Sequence, residues 1–275
     1  MIEGAILLVG CGKMGSALLE GWLKHGLNPV DVIIVEPAGR ASIPCCAKHP
    51  ALTVLARAAD VPADFRPDVI VFAVKPQVAD AVVPDYRRFA RDKPLFLSIA
   101  AGKTIAFFKA KLGAMAAVVR GMPSTPAAIG KGISVLVASR EADGVQRKVC
   151  DVLMAAAGQV AWIEDETLMD AVTALSGSGP AYVFLLTEYL AQAGVAAGLP
   201  ADLAATLARA TVTGSGALME QSPESAGTLR EAVTSKGGTT AAALSILMAE
   251  GGLRPLLEKA IRAATERSRE LSSGN

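Results

Sequence analysis

Histidine is scarce in this chain. His25 and His49 are the only two, so neither a histidine-rich metal centre nor a histidine-based triad is expected, and no metal is assigned. The four cysteines, Cys11, Cys45, Cys46 and Cys150, show no C-x-x-C spacing. Reduced thiols in a cytoplasmic protein are the expectation. Aromatic residues make up 4% of the chain and the formal net charge is +1. That argues against a nucleic-acid binder, which would show a basic face with aromatics interleaved. No apolar run reaches the roughly 18 to 20 residues of a membrane helix. The N-terminal "MIEGAILLVG" carries an acid and runs straight into a glycine motif, so it does not read as a signal peptide.

What is present is apolar and organised. Hydrophobic residues reach 52%, much of it alanine, over 275 residues. That length suits one large domain or two ordinary ones. In the first half, short apolar runs alternate with helical stretches. The runs at 5–9, 32–35, 69–74, 95–100, 116–120, 132–139 and 160–163 read as strands, the continuous ones as strands of a parallel sheet buried on both faces. The clearest helices between them span 14–26 and 144–158. Such alternation predicts an α/β fold, a Rossmann-type doubly wound sheet. Past Glu164 the texture turns helical, with patterns at 165–176, 180–194, 201–220, 239–250 and 255–271. Pro180 suits a first helical turn, Gly251 and Gly252 suit a helix end, and Glu258 can pair with Arg262. The expected division is a dinucleotide-binding domain at 1–163 and an all-helical domain at 164–275.

"VGCGKMG" follows the first strand and opens the first helix. Gly10 permits the tight turn, Gly12 lets backbone approach a pyrophosphate, and Gly15 allows close helix–strand packing. Cys11, Lys13 and Met14 complete this expected phosphate-binding turn. Glu36 follows the end of the second strand, 26 residues past Gly10, a little beyond the usual spacing of about 20. An acid there accepts ribose hydroxyls of NADH, while Arg40 nearby keeps NADPH open. Two further loops belong at the carboxyl ends of the strands: Ala73, Val74, Lys75 and Pro76, and Ala100, Ala101 and Gly102. Pro76 is expected to end the strand ladder, with Lys75 facing the cofactor or solvent.

Several segments together resemble the pyrroline-5-carboxylate reductase family. They include "GCGKMGSA", "AVKPQ", "SIAAG", "RGMPSTPAAIGKG", "MDAVTALSGSGPAY" and "TSKGGTT". The last two are the most specific, and the segments cover nearly the whole chain in family order. The resemblance implies reduction of a small cyclic imino acid, 1-pyrroline-5-carboxylate, to L-proline with NADPH or NADH. It also implies a dimer through the helical domains, often assembled into a decamer. The chain departs from the family at Lys236, usually proline, and at Ser124, usually asparagine. It also lacks a usual asparagine near the cofactor ribose, since only Asn28 and Asn275 are present.

A protonated imine already accepts hydride well, so the protein needs orientation, an anion site and a donor near nitrogen. "SKGGTT" offers these. Gly237 and Gly238 give bare backbone, and the helix from Thr239 presents unpaired N–H groups that suit a carboxylate, with Ser235 ahead of it. By family resemblance Thr240 donates the hydrogen bond to the imine nitrogen and is the catalytic residue. An ordinary Ser/Thr N-cap is the competing reading. Ser176, Gly177 and Ser178 are expected to shape the substrate pocket, and Met122 and Pro123 to line the nicotinamide side. Rival functions are another small Rossmann reductase of imines or β-hydroxyacids, and a cofactor-binding sensor. The catalytic lysine of β-hydroxyacid enzymes has no counterpart in 165–184.

Overall fold

The computed structural model describes residues 4–273. The chain folds as two compact units, Met1–Gly177 with Ala264–Asn275, and Ser178–Ala263.

The first unit is built on an eight-stranded sheet. Its strands are β1 (Ile6–Val9), β2 (Val32–Val35), β3 (Thr53–Leu55), β4 (Val69–Phe72), β5 (Leu95–Ser98), β6 (Ala117–Pro123), β7 (Gly132–Ala138) and β8 (Gly158–Trp162). The order is β3-β2-β1-β4-β5-β6-β7-β8. Every pairing is parallel except the β6–β7 hairpin. The order reverses between β1 and β4, which is the switch point where ligands bind in such sheets. Strands β1, β2 and β4 are apolar at every position and buried at every position. Neither face is left to water, as a sheet covered on both sides requires.

Alternation along each strand sends side chains to two separate cores. Ile6, Leu8, Val32 and Ile34 join Leu18, Leu19 and Trp22 on one side. Leu7, Val9, Phe72 and Phe96 meet Tyr86, Phe89 and Phe108 on the other. The first side is covered by α1 (Lys13–Lys24) and α4 (Gly144–Ala155), the second by α2 (Pro76–Val82) and α3 (Ile105–Leu112). Helices α1 and α4 meet closely, since Trp22 Nε1–H donates to Leu153 O at 2.8 Å. A Cβ on Gly21 would lie only 2.6 Å from Ala156 O.

The strand at 69–74 stops at Phe72, and Pro76 opens α2 from its first turn. A proline lacks the N–H but has the φ that a helix start needs. The stretch expected as one helix at 165–176 is three pieces: a 3-10 turn at Glu166–Leu168, α5 (Met169–Val172) and a π-helical turn at Thr173–Gly177.

The second unit holds α6 (Gly179–Ala196), α7 (Ala201–Gln221), α8 (Ala226–Ala232) and α9 (Thr239–Leu247), and α10 (Leu253–Ser273) begins in it and ends in the first unit. Pro180 lies in the first turn of α6. On α10, Glu258 pairs with Arg254 at 2.8 Å rather than with Arg262. No helix among the described residues is long and apolar enough to cross a membrane.

Candidate active site

The glycine turn between β1 and α1 is held by backbone. Gly10 takes a φ of +82°, and a Cβ there would lie 3.0 Å from Ala73 O. Its N–H donates to Val35 O at 2.8 Å. A Cβ on Gly15 would lie 2.8 Å from Gly10 O, so this glycine lets α1 close onto the turn. Gly12 differs: nothing lies within 4 Å of the place its Cβ would occupy. It faces a cavity of about 580 Å³ at the switch point. Gly12 also caps α1 without any side-chain hydrogen bond. Bare backbone, open space and an uncapped helix start fit the pyrophosphate of a dinucleotide.

The same cavity gathers Gly10, Gly12, Glu36, Ala73, Val74 and Lys75. Glu36 is fixed beside the turn, its Oε2 accepting from Cys11 N–H at 2.8 Å and its Oε1 from Ala38 N–H at 3.1 Å. Arg40 is turned elsewhere. Its guanidinium donates to Leu52 O, Cys46 O and His49 O at 2.7 to 2.9 Å. Cys11 lies under the turn, and burial pushes its thiol up to about 12. It stays protonated near neutrality and is no nucleophile. Lys13, Met14, Gly15 and Pro76 flank the cavity in sequence without lining it. The loop after β5 does not line it either. Ala100 is buried with its N–H on Ser98 Oγ at 3.2 Å, Ala101 follows it, and Gly102 takes a φ of +70° beside Leu271 O. Ala56, Arg57 and Ala58, just past β3, also line the cavity and were not anticipated. Their signal was weak because β3 has only three residues, the first of them exposed.

A second grouping lies at the far end of β6. Met122 and Pro123 close that strand, and Met122 Cε occupies the place where a Cβ on Gly177 would fall. Gly177 ends the π-helical turn, so the absent side chain admits the methionine. Ser176 Oγ donates to Val172 O at 3.0 Å and Thr173 Oγ1 to Met169 O at 2.8 Å. Hydroxyls that bond back to the preceding turn loosen a helix there, and π-turns often mark working segments. Ser124 is buried and ties the β6–β7 hairpin, its Oγ accepting from Ile133 N–H at 3.0 Å.

In the second unit, Ser178 precedes α6 without capping it. The segment from Ser235 makes a tight turn: Gly238 N–H donates to Ser235 O at 3.1 Å, and Gly237 takes a φ of +73°. Positive φ at the third residue is the type II pattern, with Lys236 second. A Cβ on Gly238 would collide with Ser235 Oγ. Gly238 then caps α9 with no side-chain hydrogen bond, so an ordinary Ser/Thr cap is not what is built here. The first N–H groups of α9, those of Thr239 and Thr240, are left to a ligand or water. The half-buried Thr240 hydroxyl bonds to no other described residue.

Residues 166–271 match the family described as pyrroline-5-carboxylate reductase dimerisation, and residues 5–102 match that described as NADP oxidoreductase, coenzyme F420-dependent. A pyrroline-5-carboxylate reductase of Pisum sativum is 38% identical over 96% of this chain and 94% of its own length. The solved reductase of Coxiella burnetii superposes with a TM-score of 0.90 at 31% identity, covering 98% of each chain. The Plasmodium falciparum enzyme, solved with NADP bound, gives 0.82 at 28% identity and covers 99% of each chain.

Proposed function

The chain belongs to the pyrroline-5-carboxylate reductase family, and on that premise we propose how its residues divide the work. The enzyme is an oxidoreductase that reduces 1-pyrroline-5-carboxylate to L-proline. When bound, NADPH or NADH supplies the hydride for the imine carbon. In this reading Gly10, Gly12, the α1 N-terminus and Glu36 hold the dinucleotide. Ala73, Val74 and Lys75 form the wall on the β4 side. Residues 1–163 serve as the dinucleotide domain and 164–275 as the substrate and dimerisation domain. The match of 166–271 to the dimerisation family supports that division.

The observation that carries the substrate assignment is the uncapped start of α9. Its N–H groups donate to the carboxylate, where the helix dipole adds to the hydrogen bonds. Gly237 and Gly238 keep side chains out of the way, and Ser235 fixes the turn. The Thr240 hydroxyl holds a hydrogen bond at the imine nitrogen as that nitrogen becomes an amine. Met122, Pro123, Ser176, Gly177 and Ser178 shape the apolar wall that orients the ring.

The family's dimerisation segment makes the chain a homo-oligomer. We place dimers in a decamer in the cytoplasm. Exposed Leu253, Leu256 and Leu257 on α10 support further association, and four free thiols suit a reducing compartment. The test is NAD(P)H oxidation with pyrroline-5-carboxylate and, in parallel, with an open-chain carboxylic acid bearing the aldehyde that a β-hydroxyacid dehydrogenase would reduce. Turnover of the cyclic imino acid alone is expected. Reduction of the open-chain aldehyde instead would overturn the assignment.

A further inference from the structure

The geometry points to a preference of this chain for NADH over NADPH, set by Glu36 and by the sequestration of Arg40. The inference rests on the reductase reading above and deepens it.

Glu36 follows the last residue of β2 and lines the cavity that Gly10 and Gly12 face. Both of its carboxylate oxygens are pinned by backbone N–H groups, from Cys11 and Ala38. Its own N–H donates to Leu55 O at 2.9 Å. The carboxylate is therefore locked between the glycine turn and the exit of β2. Each oxygen keeps acceptor capacity, so the two hydroxyls of an adenosine ribose find acceptors already in place. A phosphate ester on the same ribose would bring a charge of about −1.5 to −2 against that fixed anion. To be tolerated it needs a cation free to move onto it.

Arg40 is the cation that sequence proximity offers, and it is not free. Its three hydrogen bonds to Leu52 O, Cys46 O and His49 O clamp the loop between β2 and β3. Leaving them would strand carbonyls and open that loop. Two other cations line the cavity. Arg57 is held by Asp60 in a bidentate pair, Nη2 to Oδ1 at 2.8 Å and Nε to Oδ2 at 3.2 Å. Lys75 follows β4, and β1 stands between β4 and β2. Asp85 places a second carboxylate in the lining. The cavity thus offers a fixed anion, and the one guanidinium in its lining, that of Arg57, sits in an exposed pair with Asp60.

The test reads binding, not turnover. Dissociation constants for NADH and NADPH are measured without substrate, by ligand fluorescence, on the full chain and on Glu36→Ala, Glu36→Gln, Arg40→Ala and Arg57→Ala. Melting curves report folding in parallel. The parent should bind NADH about tenfold tighter or more, a difference well above error in such constants. Both Glu36 variants should narrow that ratio, chiefly by tightening NADPH. Arg40→Ala should lower the melting temperature and leave the ratio alone. A parent that binds NADPH as tightly as NADH, a ratio unmoved in both Glu36 variants, or a loss confined to NADPH in Arg40→Ala or Arg57→Ala would overturn the inference. NADH-selective binding without imino-acid turnover would support the selectivity and overturn the substrate reading. Failure to bind either dinucleotide would overturn both.

Discussion

Thr240 is a small residue with a large assignment. Its hydroxyl is half-buried, bonds to no other described residue, and stands in the first turn of an uncapped helix. A donor aimed at a nitrogen whose bonding changes acts mainly in the transition state, so its loss should fall on turnover. Thr240→Ala is expected to lower kcat roughly 10²-fold, the scale seen when one such donor is removed. NADH binding measured directly should not change. A variant with parental kcat would take Thr240 out of the reaction. Lys236 can be placed more firmly than the sequence allowed. It is the second residue of a turn whose third, Gly237, has positive φ, and its N–H makes no hydrogen bond among the described residues. Proline is favoured at that position, with φ already near its turn value. Lys236→Pro should therefore stabilise the protein by about 0.4–1 kcal/mol through the unfolded chain. A denaturant midpoint that falls instead would show that the turn is not of this type.

Between elements, one carboxylate joins three pieces of the first unit. Glu166 Oε1 accepts from Ile105 N–H at 2.8 Å, at the start of α3, and from Arg120 Nη1 at 3.1 Å, on β6. Arg120 is only 3% exposed. Removing the partner of a buried guanidinium costs far more than the pair contributes net. Glu166→Ala should destabilise by about 3 kcal/mol, whereas Glu166→Gln keeps an acceptor for both donors and should lose less. Equal losses in the two variants would mean that the charge is immaterial. This knot was not legible in the sequence, because its members are 46 and 61 residues from Glu166. The strands were legible because buried parallel strands read as unbroken apolar runs. β3 was missed because three residues, one of them exposed, carry no such run. The segment 165–176 has a helical pattern, but Thr173 and Ser176 bond back to the preceding turn and widen it into a π-turn. For the site, the motifs marked Gly10, Gly12, Glu36 and the loop after β4, which line one cavity, and also the loop after β5, which does not line it. They could not show that Arg40 spends its donors on Leu52, Cys46 and His49.

At the scale of the whole molecule, the two units are stabilised by different means. The first buries two apolar layers against its sheet. In the second, Ala204 and Ala208 are the only buried hydrophobic residues among those described. Its larger apolar side chains face outward, with Phe184 68% and Tyr189 57% exposed and Leu186, Leu190, Leu203 and Leu207 also open. A monomer rarely leaves so much apolar surface to water. The segment carrying it matches a dimerisation family, and the proposed dimer would cover that face with a second copy of the chain. Stability should then depend on protein concentration, because association and folding of this unit are one event. Each tenfold rise in concentration should add about 1.4 kcal/mol of apparent stability per mole of dimer. The melting temperature should rise accordingly across a dilution series, and sedimentation should find no folded monomer. Phe184→Glu places a charge on that exposed apolar face and should lower the melting temperature or leave the second unit unfolded. A concentration-independent melt from a stable monomer would mean that the exposed face of α6 and α7 is tolerated by water. The second unit would then need another source of stability than its twin.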